Sequence, residues 1–365
     1  MSRLRSILPP VSVAILLVTL FIGLRPMGYD FSNHVSWLEE KSGLHFGVTS
    51  LAYSRLDKKL YDRKLAGRGV FSIQLLIKPA NYDLNTFNHI FSIHAGSNRR
   101  QLVIGQWRSH IIVMNGDDYA HRKKIKRIHA QIPDDNRQAL RFTVTSGSAG
   151  ARIYFDETLM QSEPDIDLRI PEGGEPLLSL GNSVYGTNSW QGDILGLAIY
   201  NHELSQATLT GRNDSRLGTT AQNNTKPVLL YRFNEQTGAT VTDRASRTFH
   251  LQIPARMRVL KKIILAKPWP ERGITRSLIQ DATINLAGFI PLGFIFALTF
   301  FTSFAGLSRK QAILLSVSIC FATSLFIEML QGWMATRSSQ SLDLILNTLG
   351  AWLGALFIKM KVWTK

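Results

Sequence analysis

Two stretches of this chain begin alike. In Asp281-Ala-Thr-Ile-Asn285-Leu-Ala-Gly288 and Asp343-Leu-Ile-Leu-Asn347-Thr-Leu-Gly350, an acid stands four residues before an amide and seven before a glycine. A spacing of four is about one helical turn, so each acid shares a helix face with its amide. A further apolar run ends in Phe326-Ile-Glu328-Met-Leu-Gln331, with acid and amide three apart on one face, and Arg337 follows shortly after. Carboxylates in semi-apolar surroundings can act as general acids or bases, and with amides and a guanidinium they can also hold a hydroxyl-rich or cationic ligand. Arg337 is the obvious cation to offset Asp281, Glu328 and Asp343, which leaves a formal charge of about −2 when all ionise. Ionisable groups at the centre of a bilayer cost about 2.5 to 3.5 kcal/mol each on insertion scales, so groups of this kind face a bundle interior, pair, or line a wet cavity.

The elements that would carry these groups are four apolar blocks at 7–24, 283–304, 311–329 and 344–358. Each approaches the ~20 residues that cross a hydrocarbon core of ~30 Å. The first and last are short, and Arg5, Arg25, Lys359 and Lys361 can snorkel at their ends. The pattern predicts a bundle of four transmembrane helices at 7–25 and at about 283–304, 311–330 and 342–359. The first is an uncleaved signal anchor, because "IGLRPMGYD" lacks a small-x-small cleavage site. Arg3 and Arg5 precede the first block, Arg309 and Lys310 separate the second and third, and Lys359, Lys361 and Lys365 follow the last. The positive-inside rule makes these ends cytoplasmic and puts residues 27–280 and the loop 330–342 outside. The expected order is a cytoplasmic start at 1–6, the anchor at 7–25, an exported domain at 27–255, a linker at 256–280, a helical domain at 281–360 and a cytoplasmic tail at 361–365. On that topology Asp281, Asn285, Glu328, Gln331, Arg337, Asp343 and Asn347 gather in one outer layer.

With 42 basic and 26 acidic residues among 365, the chain carries a formal charge of +16, and most charged residues fall between 27 and 280. An excess of this sign favours acidic polymers or lipid headgroups, while an extracytoplasmic location argues against nucleic acid. The single cysteine, Cys320, lies in the third block, so the exported part holds together without a disulfide. Short alternating runs such as "GVFSIQLLIKP", "HIFSIHAG", "QLVIGQW", "LRFTVTSG" and "DILGLAIYN" recur about every ten residues between 45 and 255, the pattern of an all-β sandwich. Ser205 can cap a short helix over "ELSQATLTGR".

Trp107, Tyr119, Tyr185 and Trp190 are candidates for stacking on sugar rings, with core packing the favoured alternative for Trp190. Arg122, Lys123, Lys124, Lys126 and Arg127 form either an outward patch for an anionic polymer or a lysine-guarded edge strand. Asp117-Asp118 and Asp134-Asp135 can ligate Ca²⁺ or shape turns. Glu163, Asp165 and Asp167 are broken by Pro164 and read as a polar loop, not as a catalytic carboxylate pair.

The stretch from Trp190 to Ser205, "WQGDILGLAIYNHELS", resembles the closing strand of laminin G-like and concanavalin A-like sandwiches, with Ile194, Leu197 and Ile199 packing inward. Residues 229–246 resemble a strand-turn-strand of the same domains and are expected to extend the same sandwich. The resemblance implies a jelly-roll fold and glycan binding, in some members with Ca²⁺. The Glu-x-Asp-x-x-Glu strand of the glucanases is missing here. Asp281, Asn285, Phe289, Pro291, Gly293, Glu328, Gln331, Arg337, Asp343, Asn347 and Gly350 together resemble the VanZ-like membrane family. That resemblance implies a bacterial inner-membrane protein linked to glycopeptide-antibiotic tolerance, with the sandwich inserted in an outer loop. Three functions are compatible with these residues. The first is an envelope protein whose polar layer handles a lipid-linked or glycan ligand while the sandwich binds polysaccharide. The second is a membrane enzyme using Glu328, Asp281 or Asp343 on an envelope lipid. The third is an anchored glycan-binding module on a purely structural bundle. No nucleophile with its base, phosphate-binding glycine loop or metal cluster is evident, and Ca²⁺ in the sandwich is the one cofactor the chain suggests.

Overall fold

The computed structural model describes residues 2–25, 32–81, 85–96, 100–119, 121, 123–133, 139–210, 217, 226–267, 276–304, 306–334, 337 and 339–359. The chain forms two compact units, one of Asp30–Leu260 and one combining Met1–Tyr29 with Lys261–Lys365.

In chain order the elements begin with helix α1 (Ser2–Leu24), strands β1 (Val35–Trp37), β2 (Leu44–Phe46) and β3 (Ala52–Arg55), and helix α2 (Lys58–Lys64). Next come β4 (Phe71–Pro79), β5 (Asn88–Ala95), β6 (Gln101–Trp107), β7 (His110–Asn115), β8 (Arg127–Gln131), β9 (Leu140–Gly147) and β10 (Gly150–Phe155). Then follow β11 (Thr158–Glu163), β12 (Pro176–Leu180), β13 (Gly192–Tyr200), α3 (Gln206–Thr210), β14 (Leu229–Tyr231), β15 (Thr240–Val241) and β16 (Leu251–Gln252). Three helices close the chain: α4 (Arg276–Ser303), α5 (Arg309–Gln331) and α6 (Ser341–Leu356), the last running into a 3₁₀ turn at Phe357–Lys359.

The strands form two sheets. One has the order β1-β2-β13-β4-β9-β10-β11, with β14 also pairing β13, and the other runs β15-β16-β3-β12-β5-β6-β7-β8. Phe71, Ile73, Leu75, Phe142 and Val144 from the first sheet meet Phe91, Ile93, Leu102, Ile104 and Leu178 from the second in one core, so the unit is a sandwich. Ile194, Leu197 and Ile199 are fully buried, although the first two stand three apart. The register of β13 against β4 slips between Ile194 and Gly196, and this bulge restores the inward alternation. The region after the closing strand adds β14 to one sheet and β15 with β16 to the other. Ser205 caps α3, its Oγ accepting from Thr208 N at 3.3 Å. Strand β11 buries no residue, which is why its pattern is silent in the sequence.

In the helical unit, α1, α4 and α5 contain three stretches long and apolar enough to cross a membrane, Ser6–Leu24, Leu278–Ser303 and Arg309–Gln331. Three of the four expected spans are met by helices of sufficient length, and the fourth, over α6, is not shown. Helix α6 has 16 residues, about 24 Å of rise, before the backbone tightens to 3₁₀, which falls short of a ~30 Å core. Helix α5 opens with a capping box between Ser308 and Gln311, and α4 continues through Pro291.

Glycines set how closely α4 and α6 approach. A Cβ at Gly350 would run into the Leu286 carbonyl oxygen, one at Gly354 into that of Ile290, and one at Gly293 into that of Ala351. Gly288 meets nothing and is not part of this seam. The order of contacts makes α4 and α6 parallel. Leu8, Ala297, Leu298, Ala312, Ile313, Ala355 and Ile358 cluster together, which joins the start of α1 and α5 to the end of α4 and α6 at one end of the bundle.

Candidate functional site

The opposite end of the bundle holds the polar residues. Glu328 is almost wholly buried, and its Oε2 accepts the backbone N–H of Gln340, the residue that caps α6, at 2.8 Å. The Gln340 side chain makes no cap, so the carboxylate one helix away satisfies this donor. Asp343 follows in the first turn of α6, where the helix dipole favours an anion. Its carboxylate is hydrogen-bonded by Asn285 of α4 and feels the charges of Asp281 and Arg337, while Glu328 feels those of Asp343 and Arg337.

Two of the seven layer residues leave this group. Gln331 Nε2 donates to the Gly23 carbonyl at 2.7 Å and ties the ends of α5 and α1, and Asn347 Nδ2 donates to Ser324 Oγ at 2.9 Å between α6 and α5. The convergent set is therefore Asp281, Asn285, Glu328, Arg337 and Asp343, with Asp281 exposed. Arg337 donates to the Arg25 carbonyl at 3.2 Å. Arg337 Nε and the Oδ1 of buried Asn347 are enclosed without a partner among the described residues.

Sequence reasoning missed the support of this end. Leu265 and Ala266 donate from their backbone to Ser339 Oγ and Ser339 O, both at 2.9 Å, and Ser341 N returns to Ala266 O at 3.0 Å. Lys262 Nζ sits 3.5 Å from the centroid of the exposed Trp333 ring. A run of lysine and isoleucine before an apolar helix is the signal that marks such an interfacial strap.

In the sandwich, Trp190 is fully buried with Nε1 donating to Gln106 Oε1 at 2.7 Å, so it belongs to the core and offers no face to a sugar. Trp107 is 39 % exposed and carries the Arg108 guanidinium 4.7 Å from its ring. Tyr119 and Tyr185 lie in turns and each bonds to a strand of the second sheet. Tyr119 Oη accepts from Gln101 at 2.9 Å and Tyr185 Oη lies 3.2 Å from His94 Nε2, while His94 and Gln101 are paired across β5 and β6. Burial, with the nearby Asp117 charge, pushes the Tyr185 phenol up to about 12, so it stays protonated.

The basic stretch folds onto the acids expected to hold Ca²⁺ or a turn. Asp118, 2 % exposed, accepts from the backbone N–H of Lys123 and Ile125 at 3.1 Å each and pairs with Arg127 at 3.3 Å, and Asp117 pairs with Lys123 at 2.9 Å. Lys126 donates to the Asp165 carbonyl at 3.0 Å. Arg127, 11 % exposed, therefore turns inward, while Lys123, Lys124 and Lys126 stay exposed. Burial lowers the Arg127 guanidinium, and the charge and hydrogen bond of Asp118 oppose that. Strand β8 ends its sheet, and Lys123, Lys124 and Lys126 precede it in the chain. Arg122 and Asp134-Asp135 lie outside the described residues. Asp167 pairs with Arg169 at 2.6 Å and Glu163 accepts from Gln161 at 2.7 Å. No group of three or more His, Cys, Asp or Glu able to hold a metal exists among the described residues.

Residues 222–362 match the family model of VanZ/LLP1. The C-terminal region is thus similar to VanZ/LLP1. Its polar set is the one just described, and the match reaches back through β14, β15 and β16, which fold with the sandwich. Residues 58–210 match Laminin_G_3 of the concanavalin A-like lectin/glucanases superfamily. No curated protein matches the chain. Among solved structures, the chain is similar to Ruminococcus gnavus IT-sialidase CBM40 bound to alpha2,3 sialyllactose (12% identity, 47% of this chain and 96% of that one, TM-score 0.36). It is also similar to a Bacteroides ovatus protein that is a candidate for carbohydrate binding (12% identity, 61% and 62%, TM-score 0.41). A third similarity is to the binding domain of Botulinum neurotoxin DC in complex with rat synaptotagmin II (12% identity, 49% and 44%, TM-score 0.37). The chain thus joins VanZ/LLP1 membrane helices to a concanavalin A-like sandwich.

Proposed function

We propose that this is a bacterial envelope protein of the inner membrane in which the polar end of the VanZ/LLP1 helices receives the headgroup of an envelope lipid or lipid-linked glycan, and the sandwich binds polysaccharide. The observation that carries the reading is the convergence of Asn285, Glu328, Arg337 and Asp343 at one bundle end. A hydroxyl-rich headgroup can donate to these carboxylates and accept from the guanidinium. The basic residues Arg309 and Lys310 belong to the other end of the bundle, which supports a cytoplasmic placement of that end and an outer placement of the polar one. Helix α6, with its 3₁₀ turn, then reaches the cytoplasmic face as a short fourth crossing through a locally thinned bilayer.

The test is native mass spectrometry of the purified full chain. The wild type is expected to carry an envelope lipid or lipid-linked glycan that Asp343→Asn and Asn285→Ala lose at unchanged membrane level. Equal lipid occupancy in all three proteins would refute the proposal.

A further inference from the structure

A cleft of about 400 Å³ opens on the sandwich where the edge of β13 is left bare, between its pairing with β2, which ends at Ile194, and its pairing with β14, which begins at Leu197. The β13 bulge falls in this gap and presents Leu195 and Gly196 to the cleft. Gly43, at φ +153°, lets the turn bearing Lys41 and Ser42 pass directly over Leu195, because a Cβ there would lie 2.5 Å from Leu195 Cδ2. Gly196 likewise admits Leu217, whose Cδ1 would lie 2.8 Å from a Cβ at that position. The result is an apolar floor of leucines beneath a rim of Lys41, Ser42, Arg232 and Asn234.

The rim has one sign. No carboxylate lines the cleft, and neither Lys41 nor Arg232 has an ion-pair partner among the described residues. Arg232 Nε is buried with no hydrogen-bond acceptor among the described residues. Arg232 lines the cleft, and a guanidinium matches the geometry of a carboxylate. The floor suits the apolar face of a pyranose ring, and a volume of this size admits one or two such rings.

We propose that this cleft is a binding site for an acidic sugar unit of a polysaccharide, its carboxylate held by Arg232 and Lys41 and its ring lying on Leu195 and Leu217. The assignment rests on the carbohydrate-binding reading of the sandwich and names the site and the charge of its ligand. The turn residues Tyr119 and Tyr185 bond to strands of the other sheet and do not line this cleft.

Calorimetric titration of the full chain in detergent tests this with trigalacturonate, maltotriose and inorganic phosphate as probes. Trigalacturonate is expected to bind, to weaken with added salt, and to lose about tenfold in affinity in Arg232→Gln and in Lys41→Gln. Lys41 sits on an exposed turn, so its variant keeps the wild-type melting temperature even if loss of Arg232 disturbs folding. Unchanged trigalacturonate binding in Lys41→Gln and in a folded Arg232→Gln overturns the proposal, as does phosphate competing as well as the uronate. If maltotriose binds and trigalacturonate does not, the cleft assignment falls while carbohydrate binding by the sandwich stands. If neither sugar binds, both fall.

Discussion

Asp118 owes its position to three neighbours that follow it in the chain, the N–H groups of Lys123 and Ile125 and the Arg127 guanidinium. Removing one partner of a buried pair strands the other charge, so Asp118→Ala should cost about 3 kcal/mol, read as a fall in the unfolding midpoint of the sandwich transition. Added Ca²⁺ should leave that midpoint unmoved, since the acids already have cations. His89 poses a different problem. It is fully buried against Phe87 and Tyr119, and neither ring nitrogen has a partner among the described residues. Burial pushes its imidazole down to about 3, so the folded protein keeps it neutral where the unfolded chain, near 6.5, takes up a proton. Between those values the unfolded state binds more protons, and stability falls as pH drops through that window, by up to ~1.4 kcal/mol per pH unit. His89→Phe should flatten the acid limb of a melting-temperature profile. A profile parallel to wild type between pH 6.5 and 4 would contradict this account.

At the scale of elements, α6 depends on what surrounds it. The N–H of its N-cap residue Gln340 is satisfied by Glu328, and its packing surface by Gly350 and Gly354 against α4. Glu328→Gln keeps an acceptor and should fold at wild-type level, whereas Glu328→Ala should lose about 2 kcal/mol from an unpaired buried donor, measured by thermal unfolding in detergent. Gly354→Val drives a methyl into the Ile290 carbonyl and should prevent α6 from seating, seen as loss of the protein from the membrane fraction. The glycine spacing and the acid-amide spacing were both legible in the sequence because α4 and α6 are regular helices, in which position fixes face. Gln331 and Asn347 obeyed that geometry but found partners on α1 and α5, which no periodicity within their own helices contains.

For the molecule as a whole, the helical unit is built from both chain ends and the sandwich occupies the stretch between them. Arg25 and the 265–266 segment both reach the 337–341 stretch within the helical unit. Replacing residues 30–260 by a short flexible linker should therefore leave a helical unit that inserts and resists detergent unfolding as the intact protein does. Collapse of that variant would mean the sandwich supplies part of the bundle's stability.

By itself, the sequence determined what depends on local regularity: alternation for the long strands, apolar length for the helices, and which acid and amide share a face. Weakly patterned elements such as β11, which buries nothing, and the bulge in β13 had no such signature. Tertiary structure alone decided which charges neutralise one another, so that Arg127 turned inward to Asp118 and Trp190 to Gln106. It alone brought Lys41 and Arg232, far apart in the chain, to line one cleft. The physical reason is that pairing and burial depend on neighbours brought together by chain paths of tens to hundreds of residues, and a local pattern records none of them.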